Sequence, residues 1–446
     1  MKKIILSLLL SGIFSAGFSQ MKNQDSVMKA WFPEAKFGVF VHWMPTFEGG
    51  KELMKNDYAE YQKRAYREAK LFTASNYKPD EWAAMFSSWG AKYVVLTTKH
   101  HLGFALYDEK NHSFDAKKAS PAKRDLLREY ANAMRSRGLK VGFYFSLSDR
   151  MNPDYFSLSV SDDGKTVNWQ KSDFVRWKKF TDQMLAEIKH LSTAYGQVDL
   201  FWFDGDWERS ADMWRSMEIY DTIRKYQPQA VINNRLGHIE LGDYATPEMI
   251  VPGKRFPGWF EFCTTLGYNW AGPDAHKDLK EAPELVRIFG DVITLGGNVL
   301  LNIAPDYSGH ISVEQQQRMA LLGKWIVDHA EAVYGTSAGL PWGLFNGGST
   351  RKGSTIYLIV YESSKYELVV KGLEGTIESV THLATGSPLQ WRNMNDYHND
   401  EGRKGWRFIT LPEELKEEYA TVIKITFKNN MVTVTDPNKV SVVWKD

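Results

Sequence analysis

A parallel α/β barrel followed by a smaller antiparallel β domain is the fold class this sequence predicts, and three observations predict it. Apolar runs of strand length alternate with helical patterns from Phe37 to about Ile303, which is the order of βαβ units in a parallel sheet. Those runs end again and again in polar or titratable side chains, as strands do where they open onto the active face of a barrel. From about Thr336 the pattern changes to short alternating runs separated by Gly, Asn and Ser clusters, which reads as antiparallel β and most simply as a sandwich.

Taken in order, Lys36–Trp43 is a continuous apolar strand ending in His42 and Trp43. A helix opens at Pro79 with acidic residues in its first turn, as helix starts prefer, and runs to Gly90. Lys92–His101 is the second strand. A helix from Ser120-Pro121 to Gly138 leads to the third strand, Leu139–Ser146. A long amphipathic helix from about Ser172 to Tyr195 feeds the fourth, whose apolar run from Val198 stops at Asp204-Gly205. Ala211 to Gln227 reads as one helix and Ala230–Arg235 as the fifth strand. Trp259–Thr264 reads as a sixth and Val299–Ile303 as a seventh, with no evident eighth. A helix from Val313 to Tyr334, stopped by Gly335, closes the barrel.

The chain starts with Met1-Lys2-Lys3, an apolar run from Ile4 to Leu10, and small residues to Ser19. That is a secretory leader over 1–20, too short to span a bilayer. No cysteine follows it to carry a lipid, so a periplasmic or secreted location is expected. The remainder divides into a barrel over 21–335 and a β domain over 336–446, in keeping with about 250 residues for a barrel. The formal charge of +1, with both signs interspersed, offers no footprint for nucleic acid. Later stretches offer no membrane span, and the single Cys263 forms no internal disulfide. Aromatic residues make up 14% of the chain, with 16 Trp; most pack the core, but such side chains also stack on sugar rings.

Five strand ends carry His42-Trp43, His100-His101, Tyr144, Trp202 with Asp204, and Arg235. Asp204 is the candidate nucleophile; its bland alternative is a helix cap or loop ion pair. Adjacent histidines on a strand point to opposite sides, so His100 and His101 reach one site only if the strand has broken. A zinc set of His42, a second histidine and Asp204 is conceivable, but no short metal-ligand motif supports it and the neighbouring aromatics suit a sugar. Glycoside hydrolysis requires a second carboxyl group. Asp206 and Glu208 follow Asp204 too closely to share its cavity with assurance. Glu248 lies in a loop beyond the fifth strand, and Glu261 lies among aromatics that would desolvate it. The residues alone leave those two open.

The runs Ala35–Trp43, Gly90–His101, Gly142–Ser146, Trp202–Gly205 and Gly296–Ile303 together resemble the glycoside hydrolase family 29 α-L-fucosidases, over about Trp31 to Gly335. The resemblance implies a (β/α)8-like barrel with a C-terminal β-sandwich, a retaining mechanism acting on terminal fucose of glycans, and no metal or cofactor. It places the nucleophile at Asp204 and favours Glu248 over Glu261 as acid/base. It places fucose contacts at His42, His100, His101, Tyr144, Trp202 and Arg235, with Trp43 or Trp202 as a wall for the methyl group. Three departures stand out: Leu102 where the family has Asp, Glu60-Tyr61 as the nearest match to a Glu-Trp pair, and Gly267-Tyr268-Asn269-Trp270 in place of Trp-Gly-Tyr. Glu60 thus enters as a candidate substrate contact, and the leaving-group side is expected to differ. The rival readings are a catalytically silent sugar-binding protein on this fold, or another retaining barrel glycosidase.

Overall fold

In the computed structural model, which describes residues 29–155, 171–237, 239–362, 367–394, 405–428, 433–435 and 441–443, eight parallel strands form one sheet. They are β1 (Phe37–Val41), β2 (Tyr93–Lys99), β3 (Lys140–Ser146), β4 (Leu200–Asp204), β5 (Val231–Ile232), β6 (Tyr244–Ala245), β7 (Trp259–Thr265) and β8 (Asn298–Ile303). Their spatial order is β5-β4-β3-β2-β1-β8-β7-β6, and a lone parallel bridge between Asn233 and Tyr244 closes the ring. The predicted leader at 1–20 lies outside the described residues.

The strand alternation that sequence reading relies on sorts the side chains into two layers. Phe40, Val95, Tyr144, Leu200, Trp202, Val231, Cys263 and Leu300 fill the barrel interior, and Phe32 and Ala35 pack with them. Val39, Leu96, Phe143, Phe201, Phe262 and Leu301 point outward and pack under the helices.

Several element boundaries differ from the sequence reading. The missing eighth strand is β6: only two residues long, it lies inside what looked like loop, so the runs read as sixth and seventh are β7 and β8. The helix expected from Ser120 begins at Leu126, with the Asp125 carboxylate accepting from the Arg128 amide. The helix expected over 211–227 is split at Arg215 (φ 56°) into Ala211–Trp214 and Ser216–Tyr226. The helix expected over 313–334 is likewise split, into Val313–Asp328 and Ala330–Val333. Two helices, Gly50–Asn56 and Tyr58–Leu71, occupy a stretch that showed no pattern.

The β5–β6 seam is held by side chains more than by a ladder. The Asp243 carboxylate accepts from the Ile232 amide (2.8 Å) and from Arg224 Nη2 (2.7 Å), and pairs with Lys29 Nζ (2.9 Å). The Asp243 amide donates to the Ile232 carbonyl (2.7 Å). Thr246 donates through both its amide and its hydroxyl to Asn234 Oδ1 (3.2 and 2.9 Å).

After the barrel, an antiparallel five-stranded sheet runs through strands 377–382, 421–427, 355–360, 348–352 and 337–338. One of its faces supplies Ile356, Leu358, Ile423 and Ile425 to a core shared with Leu368, Val370 and Ile409 of a three-stranded sheet. The opposite face puts Tyr357, Ile359 and Val422 into the main barrel-helix core. Trp325 Nε1 also donates across to the Ala420 carbonyl (2.8 Å). Among the described residues no helix is long and apolar enough to cross a membrane.

Candidate active site

β3 and β4 run in register, pairing Tyr144 with Trp202 and Ser146 with Asp204. That register puts the Tyr144 and Trp202 rings face to face in the interior, 5.5 Å apart and 19° from parallel, and leaves Asp204 at the strand end above them. Gly205, at φ 81°, turns the chain away. A Cβ there would come within 3.1 Å of Ser148 Oγ and 3.3 Å of the His101 ring, so glycine serves both the backbone and the space.

Asp204 is buried, and each of its carboxylate oxygens is partnered. Tyr144 Oη donates to Oδ2 at 2.9 Å, Arg235 Nη1 donates to Oδ1 at 3.1 Å, and His101 Nε2 stands 3.4 Å from Oδ2. Burial by itself raises a carboxyl pKa; here the hydrogen bond and charge of His101 and the Arg235 guanidinium outweigh it, holding Asp204 ionised well below the usual range. The same burial and the neighbouring Asp204 charge push the Tyr144 phenol well above its ordinary value, so it remains a donor.

The two histidines do share the site. A register shift between Thr97 and Lys99 against β3 breaks the ladder before they are reached, and His100 and His101 follow the strand end. His100 stacks on Tyr144 (5.3 Å, 9°). His101 turns Nδ1 to the Ser146 and Ser148 hydroxyls (2.6 and 2.8 Å) and Nε2 to Asp204. His42 Nδ1 lies 2.6 Å from Asn302 Oδ1, while Asn302 Nδ2 donates to the Trp270 carbonyl (2.8 Å). The amide orientation assigns the proton to Nδ1 and leaves His42 Nε2 as an acceptor. Burial lowers His42 to about 4 and, with the neighbouring His101 and His42, holds His100 well below its ordinary value.

Arg235 joins the two halves of the site. Its Nη1 meets Asp204 and its Nη2 meets Glu248 Oε2 at 2.7 Å, while its guanidinium lies 4.7 Å from the Trp202 ring centroid. One planar fork thus spans both carboxylates. Glu248, about one-third exposed, sits on a parallel bridge to Cys263 of β7. Met249 follows at φ 62°, and the Ile250 amide donates to the Glu248 carbonyl (2.7 Å), so the chain makes a strained γ-turn immediately after the carboxylate.

Glu261 is elsewhere. It is wholly buried inside the barrel, accepting from Tyr93 Oη at 2.6 Å and from Trp202 Nε1 at 2.9 Å. Burial pushes it up to about 7 against those hydrogen bonds. It props Trp202 from below.

Two expected contacts are corrected. Trp43 points to the opposite side from His42, into the helical layer, where it packs on Phe72, Tyr77 and Trp82 and donates to the Asp306 carbonyl (2.7 Å); strand alternation at the end of β1 makes it a core residue. Glu60 sits in the first turn of helix Tyr58–Leu71 and pairs with Arg67 (3.2 Å) and Lys63 (3.9 Å) along that helix. The carboxylate facing the site from this region is Glu52, which lines a cavity of about 380 Å³ with Phe47, Tyr61, His100, His101 and Arg150. Sequence reading also missed Trp270, which packs on Phe40 and His42 (5.9 and 5.0 Å), and Asn302, although both stand in runs it had singled out. Among the described residues no three His, Cys, Asp or Glu side chains converge as metal ligands would.

A carboxylate kept ionised at a strand end above the Trp202 indole and beside the neutral imidazoles of His42 and His100, with a second carboxyl about one-third exposed across the Arg235 fork, is what breaking a glycosidic bond asks of a barrel; the protein is a glycoside hydrolase. The family model described as Alpha-L-fucosidase matches residues 16–331, and the chain belongs to that family. It is 31% identical over 443 residues to the tissue alpha-L-fucosidase of Homo sapiens, a match covering 90% of this chain and 89% of that one. Alpha-L-fucosidase isoenzyme 1 from Paenibacillus thiaminolyticus has a similar fold, with a TM-score of 0.78 at 29% identity, covering 91% of this chain and 100% of that one. A GH29 alpha-L-fucosidase from Bacteroides thetaiotaomicron, trapped as a covalent intermediate with 2-fluoro-fucosyl fluoride in a glutamate-to-glutamine mutant, matches with a TM-score of 0.77 at 25% identity, covering 90% of this chain and 95% of that one.

Proposed function

We propose that the protein is a retaining, exo-acting α-L-fucosidase in which Asp204 is the nucleophile and Glu248 the acid/base. The observation that carries this reading is the Arg235 fork, which faces a buried ionised carboxylate with one arm and a half-open carboxyl with the other. In the first step Glu248 protonates the glycosidic oxygen while an Asp204 oxygen attacks the anomeric carbon, giving a β-linked fucosyl-enzyme and the freed alcohol. In the second, Glu248 takes a proton from water, the water oxygen displaces Asp204, and α-L-fucose leaves. The relative trapped as a covalent intermediate supports this division.

The neutral His42 offers Nε2 to a sugar hydroxyl. His100, His101, Tyr144 and Arg235 supply further polar contacts, and the Phe40, Trp202 and Trp270 rings supply an apolar wall for the fucose methyl. Phe40, Trp202 and Glu261 fill the barrel beneath Asp204, which supports an exo mode: a glycan end can enter and a chain cannot pass through. Following an aryl α-L-fucoside by NMR tests the assignment. Retention requires α-L-fucose as the first-formed anomer; β-fucose first, or no hydrolysis, rejects it. We further propose export through the leader at 1–20, so that the amino terminus of protein recovered outside the cytoplasm should read from near Gln20.

A further inference from the structure

Away from Asp204 the described residues enclose a second cavity, of about 670 Å³ against about 380 Å³ for the one beside the histidines, and the two share no lining residue. It opens where the barrel meets the C-terminal domain. Arg287 and Asp291 of helix Ala282–Thr294 line it from the barrel; Tyr361, Glu362, Glu367 and Lys371 line it from the C-terminal domain, together with the loop 342–347. Its volume falls among those of small-molecule sites, about 300 to 1,000 Å³.

The lining is fixed in place. Tyr361 Oη donates to Asp291 Oδ1 at 2.9 Å, and the Arg287 guanidinium lies 5.2 Å from the Tyr361 ring centroid and 3.5 Å from Glu362 Oε1. The loop is strapped down by the Lys371 amide, which donates to the Leu344 carbonyl (2.8 Å), and by a bridge from Phe345 to Val370. Within it the Leu344 amide donates to the Pro341 carbonyl (3.3 Å) and Gly343 takes φ 87°, as a type II turn asks of its third residue. Trp342 stands beside that glycine, 45% exposed and lining the cavity. An indole on so tight a turn loses little entropy on stacking, which suits it to a sugar's apolar face.

The charges around it balance. Arg392 already forks Glu367 (3.1 and 2.7 Å), which leaves Arg287 and Lys371 against Asp291 and Glu362. Such a lining favours neither an anion nor a cation, whereas a neutral sugar meets guanidinium, carboxylate and the Asn346 amide for its hydroxyls.

We propose that this cavity is a second, non-catalytic glycan site that takes a neutral hexopyranose chain stacked on Trp342. A glycan with many ends held there raises the concentration of those ends at the active site. Calorimetric titration tests it, with L-fucose in excess to occupy the active site and a panel of short neutral hexopyranose oligosaccharides and their sialylated counterparts as probes. At least one neutral oligosaccharide should bind wild type, its sialylated form no better. Its Kd should rise about tenfold in Trp342→Ala, the loss of one stacked ring, and in the same sense in Asn346→Ala. Both variants should keep wild-type kcat/KM on an aryl α-L-fucoside, while KM rises and kcat holds on a fucosylated polymer built on the sugar that binds. No binding by wild type, tighter binding of the sialylated forms, or wild-type affinity in both variants would overturn the proposal. An equal loss on the aryl fucoside would make Trp342 a structural prop and overturn it too. Should Trp342→Ala misfold, Asn346→Ala alone decides, since an exposed amide contributes little to the fold. The calorimetry does not depend on hydrolysis, so a wild type inert toward fucosides rejects the fucosidase reading and leaves this site to stand or fall by its own titration.

Discussion

At the scale of single residues, the site turns on two carboxylates whose surroundings differ. Asp204 is compensated by a phenol, an imidazole and a guanidinium, so it is charged before substrate arrives. Replacing it with Ala should lower turnover by several orders of magnitude, as loss of a nucleophile does, while the melting temperature stays near that of wild type. A loss below about tenfold, or a collapse of stability that accounts for the loss, would reject its role. Glu248 and Glu261 separate on leaving-group chemistry. General acid assistance is worth about 10² to 10⁴ in rate and matters most for poor leaving groups. Glu248→Ala should therefore cripple hydrolysis of a fucosyl-glycan far more than that of an activated aryl fucoside, and azide should restore turnover with α-fucosyl azide as product, because azide inverts the β-linked intermediate. Glu261→Gln should show neither effect, since its two acceptor contacts lie under Trp202. The reverse pattern in the two variants would move the acid/base to Glu261.

At the scale of elements, the end of β2 depends on a buried charge network behind the histidines. Lys99 Nζ meets Glu187 Oε2 (2.7 Å) and Asp149 Oδ2 (3.5 Å); Tyr107 Oη donates to Glu187 Oε2 (2.6 Å), and His112 Nδ1 lies 3.2 Å from Glu187 Oε1. This ties helix Lys171–Ala194 to the strand. Burial works against a charged His112, but Glu187, with Asp149 in support and Lys99 in opposition, raises it to about 8. Its folded value thus lies above the ordinary 6.5, so its stabilisation is complete below about pH 6.5 and is lost as pH rises through about 8, to the extent of about 2 kcal/mol. Thermal melts from pH 6 to 9 should show a fall in melting temperature that flattens in His112→Gln. Parallel curves would mean the pair is uncoupled.

The elements also show what the sequence could and could not convey. β1 to β4, β7 and β8 were legible because each has five residues or more with one face in the barrel and the other under helices, an apolar run by necessity. β5, with two residues, was legible only because the apolar run Ala230–Ile232 leads into Asn233, Asn234 and Arg235, whereas β6, equally short, lies in no apolar run. The direction of Trp43 was implicit in alternation from His42, yet a Trp next to a site histidine invites a functional reading. The shared placement of His100 and His101 needed a register shift, which lies in the pairing of β2 with β3 and not in either strand alone. Glu60 was drawn in because Glu60-Tyr61 is the nearest match to the family's Glu-Trp pair, while Glu52, in the same patternless stretch, had no such match to mark it.

At the scale of the whole molecule, the five-stranded sheet has no solvent face to spare, since its two faces belong to different cores. The side-chain fastening between β5 and β6 has a further consequence. The barrel is a hoop closed by a clasp: Asp243 is its pin, and the loops bearing Arg235 and Glu248 leave from either side of it. Strain or heat that opens a hoop opens it at the clasp, and here that would draw Glu248 away from Asp204 while the remaining staves stay paired. Turnover should therefore fail at a lower temperature than the far-UV circular dichroism signal, with the gap widening in Asp243→Asn and amides from Ile232 to Thr246 exchanging first. Coincident loss of turnover and signal in both proteins would show the clasp to be no weaker than the rest. If the gap is there, the enzyme is built to stop working before it comes apart, and its working limit is set by one joint in the ring.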